Sequence, residues 1–535
     1  MSELNAQSIL AALDEDQARA AQALRGPVAI IAGPGSGKTR TVSHRIAYGI
    51  ATGVFNPNKA LALTYTNRAA AELRLRLRQL GARSVQVRTF HSAALSQLQY
   101  FWPQLTGFPA PKLLTSKRAL VSEAAATLRL GWSDSKIQEA ISEIEYLSYS
   151  MTEVADFESS TLGGKLAELV EAYRSLKTER RLIDWEDTLL LCTGMLRNEP
   201  RIMAQFEQQY RHFTVDEYQD ISPLQQGLLD TWLGDRDDIC VVGDARQTIY
   251  SFTGASSDFL LGFESKYDSA EVFQLNKNYR SGADIVAAAN RVLPASPLEA
   301  VKSTRGAVLF REYGSAALEA ESVVKDVALS SSPRAEIAVL ARTNSQLAVF
   351  EELLATRGIP FQVRGQGRFF ARPEIRQATM AIRALAVSQF NGSLESQLAE
   401  ILRPLGWTAA SGQGEISQGL NWYFDVLEEL GEPSLEEYLR ELDERERSGH
   451  EPVQDAITLA TIHGTKGLEW NEVYLIGVND GLFPIFHAKL DSEKAEERRL
   501  LYVAITRAKQ RLVISSLSGK PVSPFMTELS GSRTL

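Results

Sequence analysis

Cysteine is almost missing from this chain of 535 residues: Cys192 and Cys240 stand alone, and no C-x-x-C pair or H-E-x-x-H helix occurs. That excludes a disulfide framework, a structural zinc knot and zincin chemistry, and makes a reducing, cytoplasmic setting the expectation. Long apolar runs are missing as well. None approaches a membrane span, and the polar, acidic start Met1-Ser-Glu-Leu-Asn is unlike a signal peptide, so no membrane association is expected. Nor is there an excess of basic charge. Lys and Arg number 57 against 66 Asp and Glu, giving a formal net charge of −9 and a pI near 5.5. This argues against a protein coated in DNA-binding charge, while a basic groove on an acidic body stays compatible with it. Short-period repeats and low-complexity tails are absent too.

What is there belongs to a globular protein. Its hydrophobic share of 44% and charged share of 23% are those of that class, and at 535 residues the chain exceeds one ordinary core, so two to four domains are expected. The stretch that organises it is Val28-Ala-Ile-Ile-Ala-Gly-Pro-Gly-Ser-Gly-Lys-Thr39. Val28 to Ala32 reads as a buried strand, Gly33, Pro34, Gly35, Ser36 and Gly37 as a tight loop, and Thr39 to Tyr48 as a helix. Glycines let backbone N–H groups approach phosphate oxygens, and the new helix points its positive end the same way. Lys38 reaches β- and γ-phosphates, and the Thr39 hydroxyl is placed for Mg²⁺. Ala32 stands where the strict pattern has Gly.

Strands followed by loops recur at Leu61–Thr66 and Val85–Phe90, with Asn67 expected to cap the helix after the first. From about Ala93 to Lys177 the pattern is helical, and strands resume at His212–Val215 and Ile239–Val242. A second alternating block holds strands Ala307–Phe310, Ile337–Ala341, Phe361–Arg364, Ala456–Ile462, Glu472–Val478 and Arg511–Ser516. It is interrupted between about Val387 and Gln454 by Gly/Ser-rich and acidic helical stretches. The reading is α/β: parallel sheets whose strand ends line a crevice.

Acidic residues follow the fourth strand in Val215-Asp216-Glu217-Tyr218-Gln219-Asp220. Asp216 is placed to hold Mg²⁺ opposite Thr39, and Glu217 to orient and polarise the attacking water. Gln247, after the next strand, is a candidate γ-phosphate sensor, since its amide both donates and accepts. Tyr279 offers a ring to stack on adenine and Arg280 a guanidinium for phosphate; Arg507 offers a second, as an arginine finger would. Upstream, the amide of Gln17 matches an adenine edge. Tyr65, Phe90, Tyr250 and Phe252 follow strands, where rings stack on bases, while Thr66, Asn67 and His91 suit polar contacts to a nucleic-acid backbone.

In this order the motifs resemble those of the UvrD/Rep/PcrA group of superfamily 1 DNA helicases. VDEYQD (Val215–Asp220), GDARQTIYSFTGA (Gly243–Ala255), NYRS (Asn278–Ser281) and TIHGTKGLEW (Thr461–Trp470) are the most specific pieces, and Leu340–Asn344, Gly358–Phe370 and Glu496–Lys509 continue the match. The resemblance implies two RecA-like P-loop NTPase domains in tandem, each with a mainly helical insertion. Residues 1–92 and 178–285 would form motor domain 1A, 93–177 insertion 1B, 286–386 and 455–535 motor domain 2A, and 387–454 a reduced insertion 2B. ATP would lie between 1A and 2A, single-stranded DNA across them, with movement 3′ to 5′. Carried over, Gln17, Tyr279 and Arg40 surround the base, and Glu469 bonds the ribose. Lys38, Thr39, Asp216, Gln247, Arg280 and Arg507 surround phosphate and Mg²⁺, with Glu217 catalytic.

Two departures are visible. The family usually has Trp at Phe252 and Arg at Thr253, and the SFTGA form looks like that of a shorter actinobacterial branch with a small 2B. The expected activity is that of an ATP- and Mg²⁺-dependent 3′-to-5′ DNA helicase acting on single-stranded and 3′-tailed DNA in repair or replication restart, as a monomer or transient dimer. A translocase that unwinds only with a protein partner is the alternative. A non-catalytic nucleotide-gated DNA-binding subunit is disfavoured by the presence of Lys38, Glu217 and both arginines.

Overall fold

The computed structural model describes residues 5–114, 116–157, 160–364, 368–385, 392–408, 415–431, 433–447 and 455–530. Residues 365–367 of the Gly358–Phe370 motif, the expected 2B limits at 386–387 and 454, and both chain ends lie outside the described residues. The chain divides into two compact units: one of residues up to Ala32, Lys38–Tyr65 and Arg76–Leu275, the other of Gly33–Gly37, Thr66–Leu75 and the residues from Asn276 on.

The first unit is built on six strands: β1 (Val28–Ala32), β2 (Ala60–Thr64), β3 (Gln86–Thr89), β4 (His212–Val215), β5 (Ile239–Gly243) and β6 (Glu271–Leu275). They lie in the order β3-β2-β4-β5-β1-β6, every pairing parallel. Because a parallel sheet is covered on both faces, its central strands are apolar along their length, as Val28–Ala32 and Ile239–Gly243 are. The registers Ile31↔Gly243, Val215↔Val241 and Leu63↔Val215 bring the carboxyl ends of β1, β5, β4 and β2 to one edge. Asp216, Asp244 and Tyr65 all emerge there.

The expected strands form with small shifts in their ends. Tyr65 has already left β2, and Phe90 has left β3 to open a helix, Phe90–Thr106. Thr66, not Asn67, caps the helix Asn67–Gln79, accepting the Ala69 N–H at 3.2 Å. Strand β6 had no sequence signal because it is a largely exposed edge. Within the helical stretch after Ala93, Lys112–Leu113 forms a short strand that pairs with Leu182–Ile183, just beyond that stretch. Helices Lys117–Thr127, Asp134–Ser150 and Lys165–Glu179 enclose their own core of Val121, Ile141, Leu169 and Tyr173. Phe90, Ala94, Leu98 and Phe101 of the preceding helix instead belong to the core of the sheet, with Phe213 and Trp232.

The second unit carries strands β7 (Ala307–Tyr313), β8 (Ile337–Ala341), β9 (Phe361–Val363), β10 (Ile457–Thr461), β11 (Trp470–Leu475) and β12 (Ala508–Leu517). Their order is β7-β12-β11-β8-β10-β9, again entirely parallel. Helices Pro373–Ala384, Leu394–Leu402, Glu415–Leu430 and Leu435–Arg447 form a separate small core around Ile375, Leu398, Tyr423 and Tyr438. The fold is α/β with parallel sheets, as the sequence pattern predicts. Among the described residues, no helix is long and apolar enough to cross a membrane.

Candidate functional site

In the first unit the helix Lys38–Ala51 starts six residues after β1, so Lys38 and Thr39 occupy its first turn. The Lys38 ammonium is 3.0 Å from Glu217 Oε1. Burial disfavours its charge, but Glu217, Asp216 and Asp244 outweigh that and hold its pKa above the ordinary lysine value. Glu217 sits at φ 54°, a left-handed conformation, directly after Asp216, whose carboxylate accepts the Glu217 N–H at 2.9 Å. This sharp turn presents two consecutive carboxylates at the sheet edge.

A residue that pattern reading passed over ties the cluster together. Gln219 is fully buried; its amide donates to Glu217 Oε2 at 2.6 Å, and its carbonyl accepts the Asp244 N–H at 3.0 Å. Gly243 leaves room for it, since a Cβ there would lie 2.5 Å from Gln219 Oε1. Asp244 Oδ2 in turn accepts from Gln247 Nε2 at 3.0 Å. Lys38, Glu217, Gln219, Asp244 and Gln247 thus form one bonded chain across three strand ends. Its signal was the Gln of VDEYQD, but sequence gave it no partner.

Gln17 lies in the first turn of the helix Glu15–Gln22 and is buried. There it forms a reciprocal cap, its Oε1 accepting Asp14 N–H at 3.3 Å while Asp14 Oδ1 accepts Gln17 N–H at 2.9 Å. Arg40 donates to the Ala12 carbonyl, which brings it beside that same segment.

In the second unit, Gly35 is required by close approach: at φ 72° its Cβ would fall 2.7 Å from both Arg280 Cβ and Asn278 Nδ2. Asn278 Nδ2 donates to Pro34 O at 2.7 Å, and Tyr279 N–H to Gly35 O at 2.8 Å. The Asn278 side-chain oxygen accepts from Arg280 N–H and Ser281 N–H, so Asn278 fixes the turn that presents Tyr279 and Arg280. It is a second positioning residue not foreseen from sequence. Tyr279 stays 37% exposed, enough for its ring to remain accessible. Arg280 Nε is 2.5 Å from Glu469 Oε2, and Lys509 is 3.2 Å from Glu469 Oε1. Burial works against the Glu469 charge, yet Arg280 and Lys509 hold its pKa below the usual carboxylate range. Arg507 is turned inward, 2% exposed, donating to the carbonyls of Val503 and Leu468 and to the Thr506 hydroxyl.

The expected nucleic-acid residues divide. Tyr65 and Tyr250 stack with centroids 5.6 Å apart, and Phe252 meets Tyr250 edge-on at 6.1 Å while remaining 59% exposed. Burial and Asp220 push the Tyr65 phenol up to about 12. Gly254 lets this turn sit on the helix Asp134–Ser150, because a Cβ there would come within 3.0 Å of Ser150 N. Phe90, expected beside these rings, is instead 2% exposed and stacked on Trp232 at 5.9 Å. The reciprocal cap between Thr89 and Ser92 starts the helix at Phe90 and turns that ring into the core. His91 is half-buried, its Nε2 3.1 Å from the Tyr149 hydroxyl; burial, and then Lys117, push its pKa down to about 4. Thr66 is exposed and occupied as a helix cap, with half-buried Asn67 next to it.

Among the described residues, no group of three or more His, Cys, Asp or Glu side chains could hold a metal by itself. Thr39 and Asp216 offer one hydroxyl and one carboxylate. Such a sparse, hard donor set fits Mg²⁺ shared with phosphate oxygens rather than a protein-only cage.

Two family models match nearly the whole chain: the UvrD/REP helicase N-terminal domain over residues 13–268, and the UvrD-like helicase C-terminal domain over 273–412 and 415–519. The chain is 38% identical to the ATP-dependent DNA helicase UvrD2 of Mycobacterium tuberculosis, across 96% of this chain and 80% of the relative. It is 26% identical to the ATP-dependent DNA helicase PcrA of Leuconostoc citreum, across 96% and 83%. The PcrA of Staphylococcus aureus is likewise 26% identical, across 96% and 85%. The mycobacterial relative is thus the more similar kind.

Proposed function

Given that the chain belongs to the UvrD/Rep family and is an ATP-dependent DNA helicase, we propose that it moves 3′ to 5′ along single-stranded DNA and separates 3′-tailed duplexes, in DNA repair or replication restart. We assign residues 1–92 and 178–285 to the first motor, 286–386 and 455–535 to the second, and 93–177 and 387–454 to their insertions. ATP phosphates are held by the backbone of Gly33–Gly37 and by Lys38. Glu217 accepts the proton of the attacking water, and Gln219 holds that carboxylate in register with Asp244 and the phosphate sensor Gln247. Arg280 and Arg507 stabilise charge on the transferring phosphoryl group. Thr39 and Asp216 hold Mg²⁺, which when bound neutralises and orients the phosphate oxygens. Gln17, Arg40 and Tyr279 receive the base and Glu469 the ribose. Tyr65, Tyr250 and Phe252 supply the stacking surface for DNA bases, and Thr66, Asn67 and His91 polar contacts to its backbone.

The observation that carries this reading is the continuous chain Lys38–Glu217–Gln219–Asp244–Gln247, which links a phosphate-loop cation to a candidate base and a candidate sensor. The test is strand displacement on 3′-tailed and 5′-tailed duplexes, with ATP consumption followed in the same tubes. Unwinding of the 3′-tailed substrate alone is expected. Unwinding from the 5′ tail, or activity without ATP consumption, would overturn the proposal.

A second reading, a translocase that needs a protein partner to unwind, is favoured by the small helical group between Pro373 and Arg447. A larger insertion there would offer more surface for gripping duplex DNA. DNA-stimulated hydrolysis and single-strand movement without strand separation would select it. Either way we infer a monomer or a transient dimer.

A further inference from the structure

The first unit contains a cavity of about 420 Å³ between edge strand β3, the helix Phe90–Thr106 and the helix Pro200–Gln209. It has no part in the nucleotide chemistry above. Its polar lining includes Gln86, Arg88, Ser96, Gln97 and Tyr210, and not one Asp or Glu.

Hydrogen bonding determines which ends of the amides face this space. The Trp232 indole N–H and the Cys192 thiol both donate to Gln97 Oε1, at 3.0 and 3.2 Å. An indole nitrogen only donates, and burial raises the Cys192 thiol pKa so that it stays protonated. The Gln97 oxygen must therefore face them, which turns its NH₂ toward the cavity although the residue is only 6% exposed. Gln86 is fixed by the same logic. Its Oε1 accepts the Tyr210 O–H at 2.7 Å and Arg88 Nε at 3.4 Å, leaving its NH₂ as a donor. Arg88 has no carboxylate partner among the described residues, and its two terminal nitrogens remain available in this protein of net charge −9. Ser96 adds a hydroxyl.

Gln209, also in the lining, donates its Nε2 to the Tyr210 hydroxyl at 3.2 Å and so keeps its oxygen as an acceptor, but the only formal charge in the lining is the Arg88 guanidinium. Directed amide donors beside one guanidinium offset the desolvation of an oxyanion, while neutral amide oxygens with no carboxylate offset that of a cation poorly. We propose that the cavity binds a small organic anion, whose phosphate or carboxylate group sits on Arg88 and the amide NH₂ groups of Gln86 and Gln97, and whose body lies along Tyr100. The volume is that of a small-molecule site, and Tyr100, 65% exposed, forms its open wall.

The experiment is a thermal-denaturation titration at constant ionic strength with inorganic phosphate and, separately, with glutarate. It is run on the wild-type chain, on Lys38→Ala, on Arg88→Gln and on Ser96→Leu. A saturable rise in Tm with at least one anion is expected, retained in Lys38→Ala. In Arg88→Gln, and in Ser96→Leu where the new side chain occupies the space, apparent affinity should fall at least about tenfold. Preference for phosphate would assign a phosphate ester as the ligand, and preference for glutarate a carboxylic acid. The proposal is overturned by the absence of any saturable rise, by a rise that disappears in Lys38→Ala, which places the anion in the phosphate loop, or by a rise unchanged in Ser96→Leu. Should Arg88→Gln fail to fold, Ser96→Leu decides alone, since it keeps every charged donor.

Discussion

Replacing Gln219 by leucine tests whether the amide between two strand ends serves hydrolysis or only the fold. Leucine is similar in volume and suits a fully buried position, but it removes three bonds: the 2.6 Å donation to Glu217 Oε2, the 3.0 Å acceptance from Asp244 N–H and a longer 3.3 Å donation to Asp220 Oδ2. The second loss strands a buried N–H, which costs about 1–3 kcal/mol of folding stability. The first is a bond to a charged group, worth about 1.5–3 kcal/mol. If that energy holds Glu217 for the attacking water, its loss appears in kcat as a decrease of about 10- to 150-fold. KM for ATP should stay nearly constant, because Lys38 and the backbone of the phosphate loop are untouched. The assay is steady-state ATP hydrolysis at saturating single-stranded DNA, with Tm measured on the same preparations. A kcat within about threefold of wild type beside a lowered Tm would refute the reasoning and leave Gln219 a purely structural strut.

Four further outcomes are expected. Glu217→Gln should keep ATP and DNA binding while slowing single-turnover hydrolysis by about 10²- to 10⁴-fold; a mild effect would move the catalytic base elsewhere. Tyr250→Ala should weaken single-stranded DNA binding by about 1–3 kcal/mol in a fluorescence titration. Phe90→Ala should instead lose about 3–5 kcal/mol of folding stability, and the reverse pattern would contradict the placement of Phe90 in the core. Finally, His212 is buried and its pKa is pushed down to about 4 by desolvation. The unfolded chain takes up a proton near pH 6.5 and the folded one near 4, so stability is intact above about 6.5 and is lost as pH falls through this window. In chemical unfolding from pH 6.5 to 4, His212→Asn should reduce that loss by up to about 1.4 kcal/mol per pH unit; an unchanged slope would show that His212 is charged in the folded state.

Much of this was legible because strands buried on both faces leave continuous apolar runs and chemical residues follow them directly. Val28–Ala32, His212–Val215 and Ile239–Gly243 could be found that way. Strand β6 could not, since Glu271 and Val272 are exposed at a sheet edge and carry no apolar run. The direction of a side chain at a strand–helix junction was equally hidden. Phe90 and His91 are neighbours with the same sequence signal, but the cap made by Thr89 and Ser92 sends one ring into the core and leaves the other half-buried. Partners remote in sequence were beyond reach altogether: Gln219 bonds Asp244, 25 residues on, and Asn278 bonds Pro34, 244 residues back.

Those remote partners give motif residues a structural role beside any chemical one. Each unit holds a cation proposed to meet phosphate on a carboxylate of its own, Lys38 on Glu217 and Arg280 on Glu469. A partly buried lysine or arginine without such a partner would pay a desolvation penalty of several kcal/mol, so the carboxylates keep the cations ionised and in place. The pairing does not exhaust the acceptors. Glu469 touches Arg280 through Oε2 and Lys509 through Oε1, and a carboxylate has about four lone-pair sites. It therefore retains capacity for a sugar hydroxyl while still fixing the arginine. Glu217 likewise divides its carboxylate, with Oε1 meeting Lys38 and Oε2 meeting Gln219. Residues read from sequence as acting on nucleotide are, in this fold, first of all holding one another.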